Sequence, residues 1–148
     1  MSKQKVLHLV EEKQLHSDIY TDPKVFEQEM ATLFHNAWIY VGHESQVPNT
    51  GDYISTRIGN SPVLLVRDAQ QNIHVLMNRC AHKGARLVNE TKGNLGKMVR
   101  CPYHAWTYRL DGSLLSIPMK REYEGTGFET CPAAAGLSTA GDVAIYRG

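Results

Sequence analysis

Apolar and polar positions along the chain follow two different periods. From Trp38 onward, short runs rich in β-branched and aromatic residues recur at Tyr53 to Ile58, Val63 to Arg67 and Ile73 to Met77. Runs of this length, bounded by turn residues, predict strands. Pro48-Asn49-Thr50-Gly51-Asp52 precedes the first, and Asp68-Ala69-Gln70-Gln71-Asn72 separates the second from the third by a hairpin-sized loop. Lys97 to Arg100, Ala105 to Leu110, Ser113 to Ile117 and Val143 to Tyr146 supply further strands, and Asp111-Gly112 suits the positive φ angles of a type I′ turn. Antiparallel pairing is the consistent arrangement, with turns near the roughly 8 to 12 residue spacing of small sandwiches. Glu122 to Thr130, with Gly125 and Gly127, reads as a surface loop.

Before Trp38 the period is helical. Asp22 is placed to cap a helix and Pro23 suits its first turn, where a missing N–H costs nothing. Phe26, Met30, Leu33, Phe34 and Ala37 then recur at spacings of three and four, with Lys24, Glu27 and Glu29 between them. This single apolar stripe predicts core packing. The fold class is therefore mainly β, an antiparallel β-sandwich over residues 39–148 preceded by a helical segment over 1–38.

Length and composition narrow the function. With 148 residues the chain has the size of one domain, and 42% hydrophobic with 21% charged residues is ordinary globular composition. Sixteen basic against fifteen acidic side chains leave a formal charge of +1, no global field for nucleic acid or an acidic membrane. The apolar run Val6 to Val10 is broken by His8 and followed by Glu11 and Glu12, unlike a signal peptide, and nothing approaches the roughly 20 apolar residues of a membrane span. A cytoplasmic protein is expected. Three cysteines, Cys80, Cys101 and Cys131, are too few for a secreted disulfide scaffold and fit metal or redox chemistry better.

Two motifs carry that chemistry: Cys80-Ala81-His82 and, eighteen residues on, Cys101-Pro102-Tyr103-His104. Each falls between expected strands, and each brings one thiol and one imidazole, both strong ligands for iron and zinc. A structural zinc site is one use for them. Ligands only two residues apart are cramped on a single tetrahedral ion, however, and suit two adjacent metals better. If each loop gives its cysteine to one iron and its histidine to the other, the product is a Rieske-type [2Fe-2S] centre. Two thiolates leave the oxidised cluster neutral, where four would leave it doubly negative, so reduction is easier than in an all-cysteine cluster. Rieske potentials span roughly −150 to +300 mV, against about −400 mV for plant-type ferredoxins. Imidazole donates less negative charge than thiolate, so the added electron is expected on the histidine-ligated iron and exchange on the His82/His104 side. Cys131 has no ligand neighbour in sequence and reads as a lone thiol. His8, His16, His35, His43 and His74 are isolated and read as surface or core histidines.

The segment NRCAHKGARL followed by CPYHAWTYRLDGSL resembles the Rieske domain of the large (alpha) subunit of aromatic ring-hydroxylating oxygenases, from about Tyr20 to the last residue. The resemblance implies a Rieske-type β-sandwich with a cluster-binding subdomain, ligation through Cys80, His82, Cys101 and His104, and a preceding helical segment. The eighteen-residue spacer is slightly long for the family and suggests an extended loop around Glu90 to Gly96. Rieske proteins of respiratory and photosynthetic complexes add a bracing disulfide and a serine that donates to a sulfide. The matching positions here are Ala85, Tyr103 and Trp106, so a potential near the low end of the Rieske range is expected.

The resemblance also implies a mononuclear iron held by two histidines and a carboxylate in a further, C-terminal domain. No DxxHxxxxH-type segment occurs in these residues, and the chain reads as a truncated alpha subunit that transfers electrons but does not itself oxygenate. Expected partners are a ferredoxin or flavin reductase and neighbouring alpha subunits, as a homotrimer or an alpha/beta hexamer. A free-standing Rieske ferredoxin and a zinc-binding module are the alternatives. Around the ligands, Gly84 is expected to let backbone approach the sulfides, Lys83 and Arg86 to add positive charge, and Tyr103 and Trp106 to line the site, with Trp106 either packed in the core or a shield or subunit-facing contact near His104. Arg79, Lys83, Arg86, Lys92, Lys97 and Arg100 face one acid, Glu90, within that stretch, a local basic face suited to an acidic partner.

Overall fold

The computed structural model describes residues 8–126 and 136–146. It divides into two compact units, Met1–Tyr40 and Val41–Gly148. In the first, a short helix α1 (Asp18–Thr21) leads into α2 (Pro23–Asn36). Asp22 caps α2 as expected, its side chain accepting the Lys24 N–H at 2.8 Å, with Pro23 opening the helix. The apolar stripe does not become a core. Val25 is the buried side chain of α2, whereas Phe26 and Leu33 are 58% and 48% exposed. A unit of about 40 residues buries too little surface to cover such a face by itself.

The second unit is two antiparallel sheets. Strands β1 (Asp52–Ile58), β2 (Ser61–Arg67), β3 (Ile73–Met77) and β4 (Lys92–Asn94) form one in the order β3-β2-β1-β4. Strands β5 (Val99–Arg100), β6 (Thr107–Tyr108) and β7 (Leu114–Ser116) form the other. Period-2 alternation in β2 explains how the first sheet is buried on both faces. Leu64 and Val66 enter a core shared with Val99, Trp106, Tyr108 and Leu110 of the second sheet, while Val63 and Leu65 join Val47 and Val75 in a second cluster.

Three local expectations are corrected. Glu90 to Gly96 is not simply an extended loop, because Lys92–Asn94 pairs with β1 although all three residues are exposed, and the Asn94 side chain adds a bond to the Asp52 carboxylate at 2.7 Å. Asp111-Gly112 does not make a type I′ turn. Only Gly112 has positive φ, at 89°, and its N–H closes onto the Arg109 carbonyl at 3.0 Å. Val143 to Tyr146 forms no strand and stays exposed. The pairing along β3 comes instead from Ser138 to Ala140, with Met77 N–H donating to Ser138 and Ala140 N–H to Val75. Cys131 and the end of the expected Glu122 to Thr130 loop lie outside the described residues.

The β2–β3 hairpin is closed by a buried carboxylate. Asp68, 6% exposed, accepts from His74 Nε2 and the Asn72 N–H, both at 2.8 Å, and from the Gln70 N–H at 2.9 Å. Burial works against its charge, but the bonds from His74 and Asn72 outweigh it and hold the carboxyl below its ordinary range. The contribution of Asp68 to stability is therefore complete above the unfolded value of about 3.9 and is lost as pH falls through the lower folded value. Asp68→Asn is expected to cost about 2 kcal/mol in urea unfolding at neutral pH and to flatten the acid limb of the stability profile. Equal stability at neutral pH would contradict this account.

Candidate metal centre

The two motifs lie on loops of the same construction. The first follows β3 and the second joins β5 to β6. In the first, Cys80 N–H donates to the Ala85 carbonyl at 2.8 Å and Gly84 N–H to the Cys80 carbonyl at 2.9 Å. In the second, Cys101 N–H donates to the Trp106 carbonyl at 2.8 Å and Ala105 N–H to the Cys101 carbonyl at 3.0 Å. Both loops turn through a residue of positive φ four positions after the cysteine, Gly84 at 72° and Ala105 at 58°. The histidines differ by one position, His82 standing two residues after its cysteine and His104 three.

These loops hold the thiols deep and the imidazoles shallower. Cys80 and Cys101 are each 3% exposed, not disulfide-bonded, and sit in the core shared by the two sheets. The rings of His82 and His104 lie 4.9 Å apart at 65° and are half-buried. His82 Nδ1 is buried and has no hydrogen-bond partner. Burial pushes the pKa of His82 down, and His104 and Lys83 push it further, which favours the neutral ring that ligates metal. Two reduced, buried thiols beside an imidazole nitrogen that the protein leaves unpaired are a donor set fitted to a metal group. Among the described residues no three His, Cys, Asp or Glu side chains converge on one ion position. The geometry therefore does not favour a single tetrahedral ion held by these side chains.

Tyr108 was not singled out from sequence, and it touches the site directly. Its hydroxyl lies 3.0 Å from Cys80 Sγ and accepts the Ala81 N–H at 3.2 Å. Either atom could donate in the contact with the thiol, and once Cys80 is a thiolate the phenol O–H is the donor. Burial, then the contact with Cys80, raises the Tyr108 pKa, so the donor keeps its proton. This hydroxyl stands on β6 against a cysteine sulfur and is distinct from the loop serine whose absence underlies the expected low potential. Asn78 was also missed. Buried at 1% exposure, it accepts from the Leu87 and Val88 N–H groups at 3.0 and 3.1 Å and donates to the Val88 carbonyl at 2.9 Å. It pins the chain on the far side of the first loop.

The other expected neighbours divide. Trp106 is 1% exposed and packs in the core, one of its two expected readings, and it stacks on His82 rather than forming a surface contact near His104. Tyr103 is the ring beside His104, with centroids 3.7 Å apart, and is 65% exposed. The Gly84 N–H is committed to the Cys80 carbonyl and is not free for a sulfide. A Cβ on Gly84 would stand 3.0 Å from Arg79 Nε. Lys83 and Arg86 are exposed, as are Arg79, Lys92, Lys97 and Arg100.

Two buried thiols and two neighbouring imidazoles on matched loops of an antiparallel β scaffold fit a metal-binding β domain. The chain belongs to the Rieske [2Fe-2S] domain family, whose model matches residues 37–139. Over 131 residues it is 39% identical to the large subunit of anthranilate 1,2-dioxygenase from Acinetobacter baylyi, covering 88% of this chain and 27% of the relative. Over 101 residues it is 45% identical to the oxygenase subunit of glycine betaine monooxygenase from Chromohalobacter salexigens, covering 68% of this chain and 22% of the relative. The crystal structure of naphthalene 1,2-dioxygenase from Rhodococcus sp. bound to indole superposes with a TM-score of 0.83 at 32% identity, over 97% of this chain and 32% of that one. The chain thus spans about a quarter of the length of the curated relatives it matches. No helix among the described residues is long and apolar enough to cross a membrane.

Proposed function

We propose that residues 39–148 hold a Rieske [2Fe-2S] cluster, with Cys80 and Cys101 on one iron and His82 and His104 on the other. In this reading the domain takes electrons from a ferredoxin or flavin reductase and passes them to a mononuclear iron in another domain of a cytoplasmic ring-hydroxylating oxygenase. The observation that carries it is two loops closed by the same hydrogen bonds, each with a deeply buried thiol, whose imidazoles lie 4.9 Å apart. Relatives that are large or oxygenase subunits support an oxygenase rather than a free-standing ferredoxin. The anthranilate and naphthalene enzymes, aligned over 88% and 97% of this chain, support an aromatic substrate.

When bound, the cluster takes up and releases one electron at a time. The residues set how. Cys80 and Cys101 anchor it in the core, where the surrounding protein excludes water from the sulfur side. His82 and His104, less buried, present the edge at which an electron enters or leaves. The Tyr108 hydroxyl favours the reduced state by stabilising negative charge on Cys80 Sγ. The exposed cations of residues 79–100 are suited to an acidic face on the donor protein, with further alpha subunits as the remaining partners.

Purified protein is expected to be brown, with about two irons and two acid-labile sulfides per chain, and a colourless protein holding zinc without sulfide would refute the assignment. Tyr108→Phe is expected to lower the midpoint potential. A differential hydrogen bond of about 1 kcal/mol corresponds to about 40 mV for one electron, and an unchanged potential would show that the hydroxyl does not act on the cluster. Electron transfer from an acidic ferredoxin should slow as ionic strength rises from about 0.01 to 1 M, over which the screening length falls from about 30 to 3 Å. A rate independent of salt would exclude electrostatic docking.

A further inference from the structure

One side chain connects the two ligand loops. Trp106 closes the second loop through its backbone carbonyl, which accepts the Cys101 N–H at 2.8 Å. Its indole lies flat on the imidazole of His82 from the first loop, with centroids 4.7 Å apart and planes 2° from parallel. At 1% exposure it is held in the core that also contains Cys80, Leu87, Cys101 and Tyr108, so it cannot turn without displacing them. Tyr123, from the 3₁₀ turn Lys120–Tyr123, stands edge-on to both rings, 6.1 Å from Trp106 and 6.4 Å from His82 at 76° and 77°. His104 is held differently, against a Tyr103 ring that is 65% exposed.

We propose that Trp106 is a positioning residue that fixes the ring plane of His82 and couples the two loops, with Tyr123 bracing the stack, so that the imidazole is ready for metal before any metal arrives. A parallel stack removes rotation of the imidazole about its own bond, the one freedom that burial of Nδ1 leaves. His82 is the rigid ligand of the pair and His104 the adjustable one. The proposal rests on the assignment of His82 as a ligand. It also makes a claim about the metal-free chain, which can be tested apart from that assignment.

Two variants of the full chain separate stacking from space-filling: Trp106→Phe keeps an aromatic face, and Trp106→Leu keeps only apolar volume. In the metal-free chain, wild-type His82 ring protons are expected upfield of ordinary imidazole positions by the ring current of Trp106. Phe should retain most of that shift and Leu should lose it. In the cluster-loaded protein, Leu is expected to lose iron to a chelator about 10- to 100-fold more readily and to broaden the electron resonance signal of the reduced state. Phe should restore both. A Leu variant with wild-type His82 shifts and iron retention would overturn the proposal and leave Trp106 as core filling alone. An unfolded metal-free wild type would equally overturn it. Should the Leu variant fail to fold, Tyr123→Leu at the half-buried turn is expected to move the same His82 signals and hasten iron loss, and no change there would also overturn it. If wild-type protein takes up no iron–sulfur cluster, the functional assignment falls, while the His82 shifts still decide the stacking.

Discussion

The backbone bonds that fold each ligand loop onto its own cysteine are the constraint on which the site depends. Cys80 N–H to Ala85 and Cys101 N–H to Trp106 satisfy donors that would otherwise be buried unpaired, a cost of about 1 to 3 kcal/mol each. Loops that meet their own hydrogen-bonding needs can enter the core, and that is why the thiols reach 3% exposure although neither lies on a strand. Closure demands a left-handed residue four positions on. Gly84 takes that conformation freely, whereas Ala105 takes it at about 1 to 2 kcal/mol for its Cβ. The second loop is thus held in a strained shape by its neighbours, chiefly by Trp106, which closes it and packs beneath it.

From that closure follows a division between the two kinds of donor. Sulfur sits against Tyr108 and the apolar core, where low polarity and one directed hydroxyl govern its charge. The imidazoles sit nearer solvent within a run of aromatic rings, His82 on Trp106 and His104 on Tyr103. A centre held in this way is insulated on one side and addressable on the other, which suits a domain that accepts charge and hands it on. Relatives named for aromatic dioxygenation and for betaine monooxygenation are similar to this chain over this domain.

What could be read from sequence and what could not differ for physical reasons. The thiol and imidazole spacing points to the proposed donors because few other uses need those residue types two and three apart. Strands β1 to β3 are legible because both their apolar alternation and their turns are strong. Strand β4 is not, since Lys-Gly-Asn pairs through backbone groups that leave no mark on side-chain pattern. Val143 to Tyr146 has strand-like composition, but a strand exists only where a neighbour pairs with it, and β3 is met by Ser138 to Ala140 instead. The α2 stripe predicts a packed face that does not form, since Phe26 and Leu33 stay exposed in a unit too short to cover them. Tyr108 lies four residues beyond the second motif, but its contact with a sulfur 28 positions earlier belongs to tertiary structure and has no local signature. Asn78 is the same case, a buried amide whose value appears only when the chain at Leu87 and Val88 folds back to it.

The asymmetric division of ligands is the central claim, and pulsed electron resonance on the chemically reduced protein, grown with nitrogen-15 histidine, tests it most directly. Two histidine nitrogens coupled to the unpaired electron, with both couplings changing on isotopic substitution, are the predicted result. A reduced centre without histidine coupling, or with a single coupled nitrogen, would contradict it.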